Sequence, residues 1–263
     1  MVKQYLSRTY AFLVYLFLYM PIFLLILFSF NDSRYGGRWQ GFTFKWYTEL
    51  FSDGSIMESL YTTIIVAVIA SIISTVIGTI SAIAIHNMSP RKKAILTNLS
   101  YIPMVNPDIV IGISLLSFFS ILNLKLGYIT LILAHITFNI PYVIFAVLPK
   151  LQQLNPNIEE AALDLGATPI QAFFKVILPE IMPGIITGSL LAFTLSLDDF
   201  IVSFFTTGSG VSTLSIKVYS MTKRGISPKI NALSSLMFIA VLALMLLLQL
   251  RDAKNKSQSD NVR

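Results

Sequence analysis

Long apolar runs separated by short polar stretches organise the chain. A helix needs about 20 mainly apolar residues to cross a bilayer core. On that measure the pattern predicts spans over about 10–30, 61–85, 99–122, 128–148, 184–205 and 231–250. The first run is too long for the apolar part of a signal peptide, and Ser29-Phe30-Asn31 lacks a small-x-small cleavage pattern. It is therefore expected to be retained, bent at Pro21. The third run is irregular: Asn106-Pro107-Asp108 reads as a cap, a first-turn proline and an acidic first turn, so a helix is expected to restart there. One membrane domain over 1–250 and a polar tail over 251–263 follow.

The longest polar interruption of the second half is 155–183. It reads as two short helices with a joint. Asn155 is placed to cap the first, Pro156 suits its first turn, and Glu159 and Glu160 sit at its positive end. Ile158, Ala162 and Leu165 have one-face spacing, and Gly166 is where a left-handed residue would end the helix. Thr168 and Gln171 stand at capping-box spacing around Pro169, and Pro179 and Pro183 are expected to close the segment.

Composition agrees with a membrane protein. The chain is 55% hydrophobic and 12% charged, against about 25% charged in soluble domains. It has no cysteine, which excludes disulfides and thiolate metal sites. Its net charge of +6 is spread over loops and tail, a mark of topology rather than of nucleic-acid binding. Six spans put both termini on one side. That side carries eleven Lys and Arg against eight, the Arg91-Lys92-Lys93 run included, so the termini are expected in the cytoplasm.

The chemistry of interest lies in acids inside apolar runs. By helical rise, Asp108 falls roughly 14 Å and Asp198-Asp199 roughly 21 Å from the inner ends of their spans. Carboxylates at such depth are costly and normally face a cavity, a partner or a substrate. With no Lys or Arg in any span, a cation is the natural complement. Asp108 could equally cap the restarted helix. Asp198 and Asp199 would diverge by about 100° on a helix, so only one is expected to face a pathway. Trp39 and Trp46 fit either interfacial anchors or a platform for a cation. His86 and His135 are too distant in sequence to argue a metal site, and His135 suits a polar contact between helices. No phosphate-binding Gly-x-x-x-x-Gly-Lys-Ser/Thr loop is present, and no Ser-His-Asp order suggests a hydrolase. An ion-coupled transporter using Asp108 is the rival reading from a different class.

Glu160-Ala161-Ala162, Gly166 and Leu178-Pro179 together resemble the EAA loop of bacterial ABC-importer permeases, with Val176 where Ile is usual. Further pieces spread over the chain resemble permeases of spermidine/putrescine importers: Trp39-Gln40-Gly41-Phe42-Thr43, Lys45-Trp46-Tyr47, Pro107-Asp108-Ile109-Val110, His135-Ile136-Thr137-Phe138, 194–199 and 216–221. The resemblance implies an all-α, six-span, type I importer (MetI-like) permease fold in the bacterial inner membrane. It implies a subunit that is not itself an enzyme and holds no cofactor, with ATP and Mg on a separate ATPase dimer. A second permease and an extracytoplasmic polyamine-binding protein would complete the complex. It also implies a substrate path using Tyr19, Trp46, Asp108, Ser196, Asp198 and Asp199, and an ATPase-coupling surface using Glu160, Ala161, Ala162, Gly166, Leu178 and Pro179. Where the resemblance leads one to expect an acid after Gly166, this chain has Pro169. A permease for another small solute is the nearest alternative.

Overall fold

A computed structural model describes residues 2–33, 38–223, 228–240 and 242–243. The described residues are almost wholly helical: α1 (Val2–Ser29), α2 (Lys45–Ser52), α3 (Gly54–His86), α4 (Pro90–Val105), α5 (Asp108–Ile121), α6 (Tyr128–Gln153), α7 (Ile158–Asp164), α8 (Pro169–Ala172), a π-helical turn (Phe173–Ile177), α9 (Leu178–Asp198), α10 (Ile201–Thr206) and α11 (Leu214–Lys223). Residues 228–240 are helical as well. The chain forms two compact units, 1–57 with 218–263, and 58–217.

Among the described residues, four helical stretches are long and apolar enough to cross a membrane: Arg8–Ser29, Gly54–His86, Tyr128–Gln153 and Pro169–Asp198. The pair α4–α5 makes a fifth if counted as one broken span. The protein is thus a multi-pass membrane protein. Of the expected sixth span, 244–250 and residue 241 lie outside the described residues, as does the tail 251–263.

Several boundaries differ from those the apolar runs predict. The second span begins earlier, at Gly54, because Ser55, Glu58 and Ser59 are compatible with helix although they interrupt the apolar run. The third is no straight span: α4 and α5 meet at 102° across Asn106-Pro107. Asn106 is extended, with ψ 141, because a proline clashes with helical backbone in the residue before it, and Pro107 is extended as well, with ψ 138. The helix restarts at Asp108 as the motif predicts, but a depth counted along a straight helix does not apply to it. The fifth span is the largest correction. Pro179 and Pro183 do not close the coupling segment, and helix runs through them from Pro169 to Asp198. The π turn bonds the Leu178 N–H back to the Phe173 carbonyl. Pro179, with no N–H to place, follows directly. Proline is tolerated in such helices when local widening re-satisfies the backbone.

In the unit 58–217, the core joins α3, α6 and α9. Ala82 and Ile85 pack with Val143, Ile144, Val147, Leu148 and Leu151, and with Ile181 and Ala192. Helices in a membrane gain no hydrophobic push toward one another, so close contact of small residues must supply the attraction. Gly184 and Gly188 do this on α9. A Cβ on Gly184 would stand 2.8 Å from the Ala146 carbonyl, and one on Gly188 3.2 Å from Ala146 Cβ.

In the other unit, Asn31 pairs with Phe42 in a short antiparallel bridge. Its Oδ1 accepts from the Gln40 N–H at 2.8 Å, and its carbonyl accepts from Trp46 Nε1 at 2.7 Å. The indole of Trp46 is thereby buried, while Trp39 is half exposed.

Candidate functional site

Two helix breaks bring the acids together. At the first, Pro107 ends the extended joint and Asp108 opens α5. The Pro107 position makes no side-chain cap, and Asp108 is exposed and lines a cavity of about 450 Å³. At the second break α9 stops at Asp198, and Asp199 turns extended, with φ −59 and ψ 127. Both of these acids line the same cavity. They do not diverge around one helix, as uninterrupted α-helix would require, because the helix ends between them.

The two carboxylates are employed differently. Asp198 is exposed. Asp199 Oδ1 accepts from the Val202 N–H at 3.2 Å, and Oδ2 from the Ser203 N–H at 2.7 Å. It thus satisfies N–H groups that the start of α10 would otherwise leave open. His135 Nε2 lies 3.0 Å from Ser203 Oγ and 3.6 Å from Asp199 Oδ2. The polar helix contact expected of His135 is therefore present, between α6 and α10.

Phe138, Tyr142 and Phe200 add aromatic faces to the cavity, with Leu195, Ile201 and Val202 among its apolar walls. No Lys or Arg among the described residues lines it. Its size is that of a small-molecule site. Carboxylates with aromatic faces attract ammonium groups, the carboxylates by charge and the rings by their quadrupoles. Sequence reading singled out neither Phe138 nor Tyr142 as a lining residue. Their spacing of four on one helix, beside His135 and Asn139, was the available signal.

Ser196 does not itself line this cavity. Ser196 is 3% exposed, and its hydroxyl accepts from Asn139 Nδ2 at 2.8 Å. Tyr19 and Trp46 belong to the other unit. Tyr19 is half exposed and stacks on Tyr15 at 6.4 Å. Trp46 lines a separate cavity of about 450 Å³ with Asp32, Glu49 and Asp53, where the Lys229 ammonium lies 3.2 Å from Glu49 and 3.8 Å from Asp53. The Lys45 ammonium already sits 5.3 Å from the Trp46 ring. Among the described residues, no group of His, Cys, Asp or Glu is placed to hold a metal.

The segment 155–183 forms the second candidate surface. Its joint follows local rules. Gly166 has φ +86, a conformation that disfavours any side chain, and its N–H reaches the Leu163 carbonyl at 2.9 Å. The Thr168 hydroxyl accepts from the Gln171 N–H, and the Gln171 side chain accepts from the Thr168 N–H. The helix start is corrected: Asn157 holds the cap position and Asn155 Oδ1 accepts from the Asn157 N–H. Ile158, Ala162 and Leu165 do not share a buried face. Ala162 is buried, but α7 stops at Asp164, so Leu165 emerges 89% exposed. Glu160, Ala161 and Pro179 are exposed and Leu178 packs on the core. Ile170 and Phe174 are exposed as well, so the segment presents large apolar side chains to its surroundings.

Residues 74–254 match the family described as "Binding-protein-dependent transport system inner membrane component". The chain is 38% identical over 255 residues to the spermidine/putrescine transport system permease protein PotC of Haemophilus influenzae, covering 97% of this chain and 99% of that protein. It is 39% identical over 232 residues to the putrescine transport system permease protein PotI of Escherichia coli, covering 86% and 83%. In fold it is similar to a chain of a bacterial ABC transporter that imports the acidic polysaccharide alginate. That likeness has a TM-score of 0.76 at 16% identity over 94% of this chain and 95% of the other.

Proposed function

The chain belongs to the binding-protein-dependent transport system inner membrane component family, and from that premise we propose that it is the permease subunit through which an ATP-driven importer of the bacterial inner membrane passes polyamines. Its similarity to permease proteins makes it a transport subunit rather than an enzyme. One observation carries the substrate class. Asp108, Asp198 and Asp199 line a single cavity with three aromatic side chains and, among the described residues, no basic one. A polyamine strings ammonium groups along an alkyl chain. Carboxylates replace the water its charges lose, and aromatic and aliphatic walls receive its methylenes.

The partners are read by the same similarity: a second permease (PotB-like), an ATPase dimer (PotA-like) and an extracytoplasmic polyamine-binding protein (PotD-like). ATP and Mg belong to the ATPase, and this chain contributes the coupling surface. The exposed Leu165, Ile170 and Phe174 on the segment that holds Glu160, Ala161, Ala162 and Gly166 fit a protein groove better than water. Helix then runs without a gap from Pro169 to Asp198. A displacement imposed at the coupling surface has a continuous backbone path to the cavity, through the π turn and Pro179.

Labelled spermidine and putrescine uptake, measured with and without this chain in cells holding the partner subunits, tests the proposal. Uptake that requires both the chain and ATP supports it. An assembled, ATP-hydrolysing complex that takes up neither would reassign the cavity to another cation. Uptake driven by an ion gradient without the ATPase would favour the secondary-transport reading instead.

A further inference from the structure

Three buried polar bonds join α6 to the region of the α9–α10 break. Thr130 Oγ1 donates to the Thr206 carbonyl at 2.8 Å, His135 Nε2 meets Ser203 Oγ at 3.0 Å, and Asn139 Nδ2 donates to Ser196 Oγ at 2.8 Å. All six residues are at most 3% exposed. Water does not compete for such bonds, so each holds its partner in place. They flank the break on both sides, Ser196 before it and Ser203 and Thr206 after it.

His135 is central to this set. Its Nδ1 is buried and without a partner. A buried orphan N–H is rarer than an orphan acceptor, so the proton belongs on Nε2, which faces Ser203 and, at 3.6 Å, Asp199. Asp199 accepts from the Val202 and Ser203 N–H groups, and the imidazole that bonds the Ser203 hydroxyl stands 3.6 Å from it. Both acids line the cavity, but the Asp199 side chain is 9% exposed whereas Asp198 is exposed. A carboxylate already accepting from two backbone N–H groups has less to offer an incoming ammonium than an exposed one. Its neighbour retains that capacity.

We propose that His135 is a positioning residue for the cationic substrate: by holding Ser203, whose N–H binds Asp199, at the α9–α10 break, it fixes Asp198 as the exposed carboxylate presented to the cavity. The inference rests on the cation-transport reading of that cavity. Without the imidazole, Ser203 loses its partner on α6 and the break loses the middle of its three ties. Two adjacent carboxylates then compete for one space, and neither is held at the place where the ammonium group meets it.

The test uses the full complex in proteoliposomes, with spermidine uptake resolved into KM and Vmax. His135→Ala is expected to raise KM about fivefold, the scale of one lost buried hydrogen bond between neutral groups, with Vmax changed less than about twofold. His135→Gln, which keeps a terminal N–H donor, is expected to restore most of the affinity. A merely structural residue would lower the amount of assembled complex and leave KM alone. An unchanged KM in assembled His135→Ala overturns the proposal. Should that variant not assemble, Ser203→Ala serves in its place, and an unchanged KM there overturns it equally.

A second readout does not depend on what the cavity carries. The chain has no cysteine, so Asp198→Cys can be labelled with a trimethylammonium methanethiosulfonate reagent. Adding His135→Ala is expected to slow labelling several-fold. An unchanged rate overturns the positioning role. A slowed rate in a complex that takes up neither polyamine upholds that role and removes only the polyamine reading.

Discussion

The surface proposed for coupling and the acid-lined cavity lie toward opposite ends of one helical stretch, Pro169–Asp198, yet they are built in opposite ways. The coupling end is local. Gly166 in its left-handed turn and the Thr168–Gln171 capping box draw on residues only a few positions apart. The cavity end is assembled from distant parts of the chain. Asp108 comes from α5, Phe138 and Tyr142 from α6, and Asp198 from the end of α9. The coupling surface should therefore tolerate changes in packing far from it, whereas the cavity should not. Substitutions at one end should also leave the intrinsic property of the other intact.

The largest expected effect lies at the cavity. Asp108→Asn with Asp198→Asn removes two carboxylates from it, and spermidine uptake should fall about 100-fold or more if each charge-assisted contact is worth about 1.5–3 kcal/mol. Complex assembly, followed by co-purification of the partner subunits, should be unaffected. Wild-type uptake from the double variant would remove these acids from the substrate path.

At the other end, Gly166→Asp places a side chain and a charge beside the exposed apolar surface. Uptake should drop at least tenfold, on the scale of a like loss at a protein interface, while polyamine affinity at the cavity holds. Gly166→Ala separates strain from docking. A Cβ there meets nothing within 4 Å, so the remaining penalty is the left-handed backbone, about 1–2 kcal/mol. Normal transport by Gly166→Asp would show that no subunit docks at this joint.

Gly188→Val tests whether the two ends are mechanically joined. The added atoms must displace Ala146 or Val143, which already stand 3.2–3.3 Å from an ideal Cβ. Overpacking of this kind costs about 1–3 kcal/mol. It should lower the melting temperature of the purified complex and impair the cavity and its response to ATP together. Loss of one without the other would mean that α9 does not move as a single body.

The smallest effect is expected from Thr168→Ala, which deletes the capping box at the start of α8 for about 1 kcal/mol. ATP-driven uptake should fall modestly, with cavity affinity unchanged and Thr168→Ser close to wild type. A shift in polyamine affinity would show that the ends are less separable than their construction suggests.

Much of the coupling segment was legible beforehand because its rules are local. Gly at a helix end, Thr and Gln three apart, and proline at a first helical position each have a steric or hydrogen-bonding cause within a few residues. The same rules located the restart at Asn106-Pro107-Asp108. They misled at Pro179 and Pro183, where proline reads as a stop but a π turn and membrane packing carry helix through. They also misled at Leu165, whose place on an extended helix face disappears when the helix ends at Asp164. Asp199 shows the limit most clearly. As one of two adjacent acids it looked equivalent to Asp198. Both line the cavity, but only the break in the helix makes one a partner of backbone N–H groups and leaves the other exposed.

By itself, the sequence determined that this protein lives in a membrane, that its apolar runs carry acids without basic partners, and that a polar segment with a glycine joint interrupts its second half. Those properties follow from composition, run length and short-range stereochemistry, which need no knowledge of distant neighbours. Tertiary structure alone decided which acids meet. A 102° bend at Asn106-Pro107 and a break at Asp199 bring Asp108 and Asp198 to one cavity. Buried bonds from His135 and Asn139 hold the flanks of the second break. Helix directions after a break are set by what the following segment packs against, and that partner lies elsewhere in the chain.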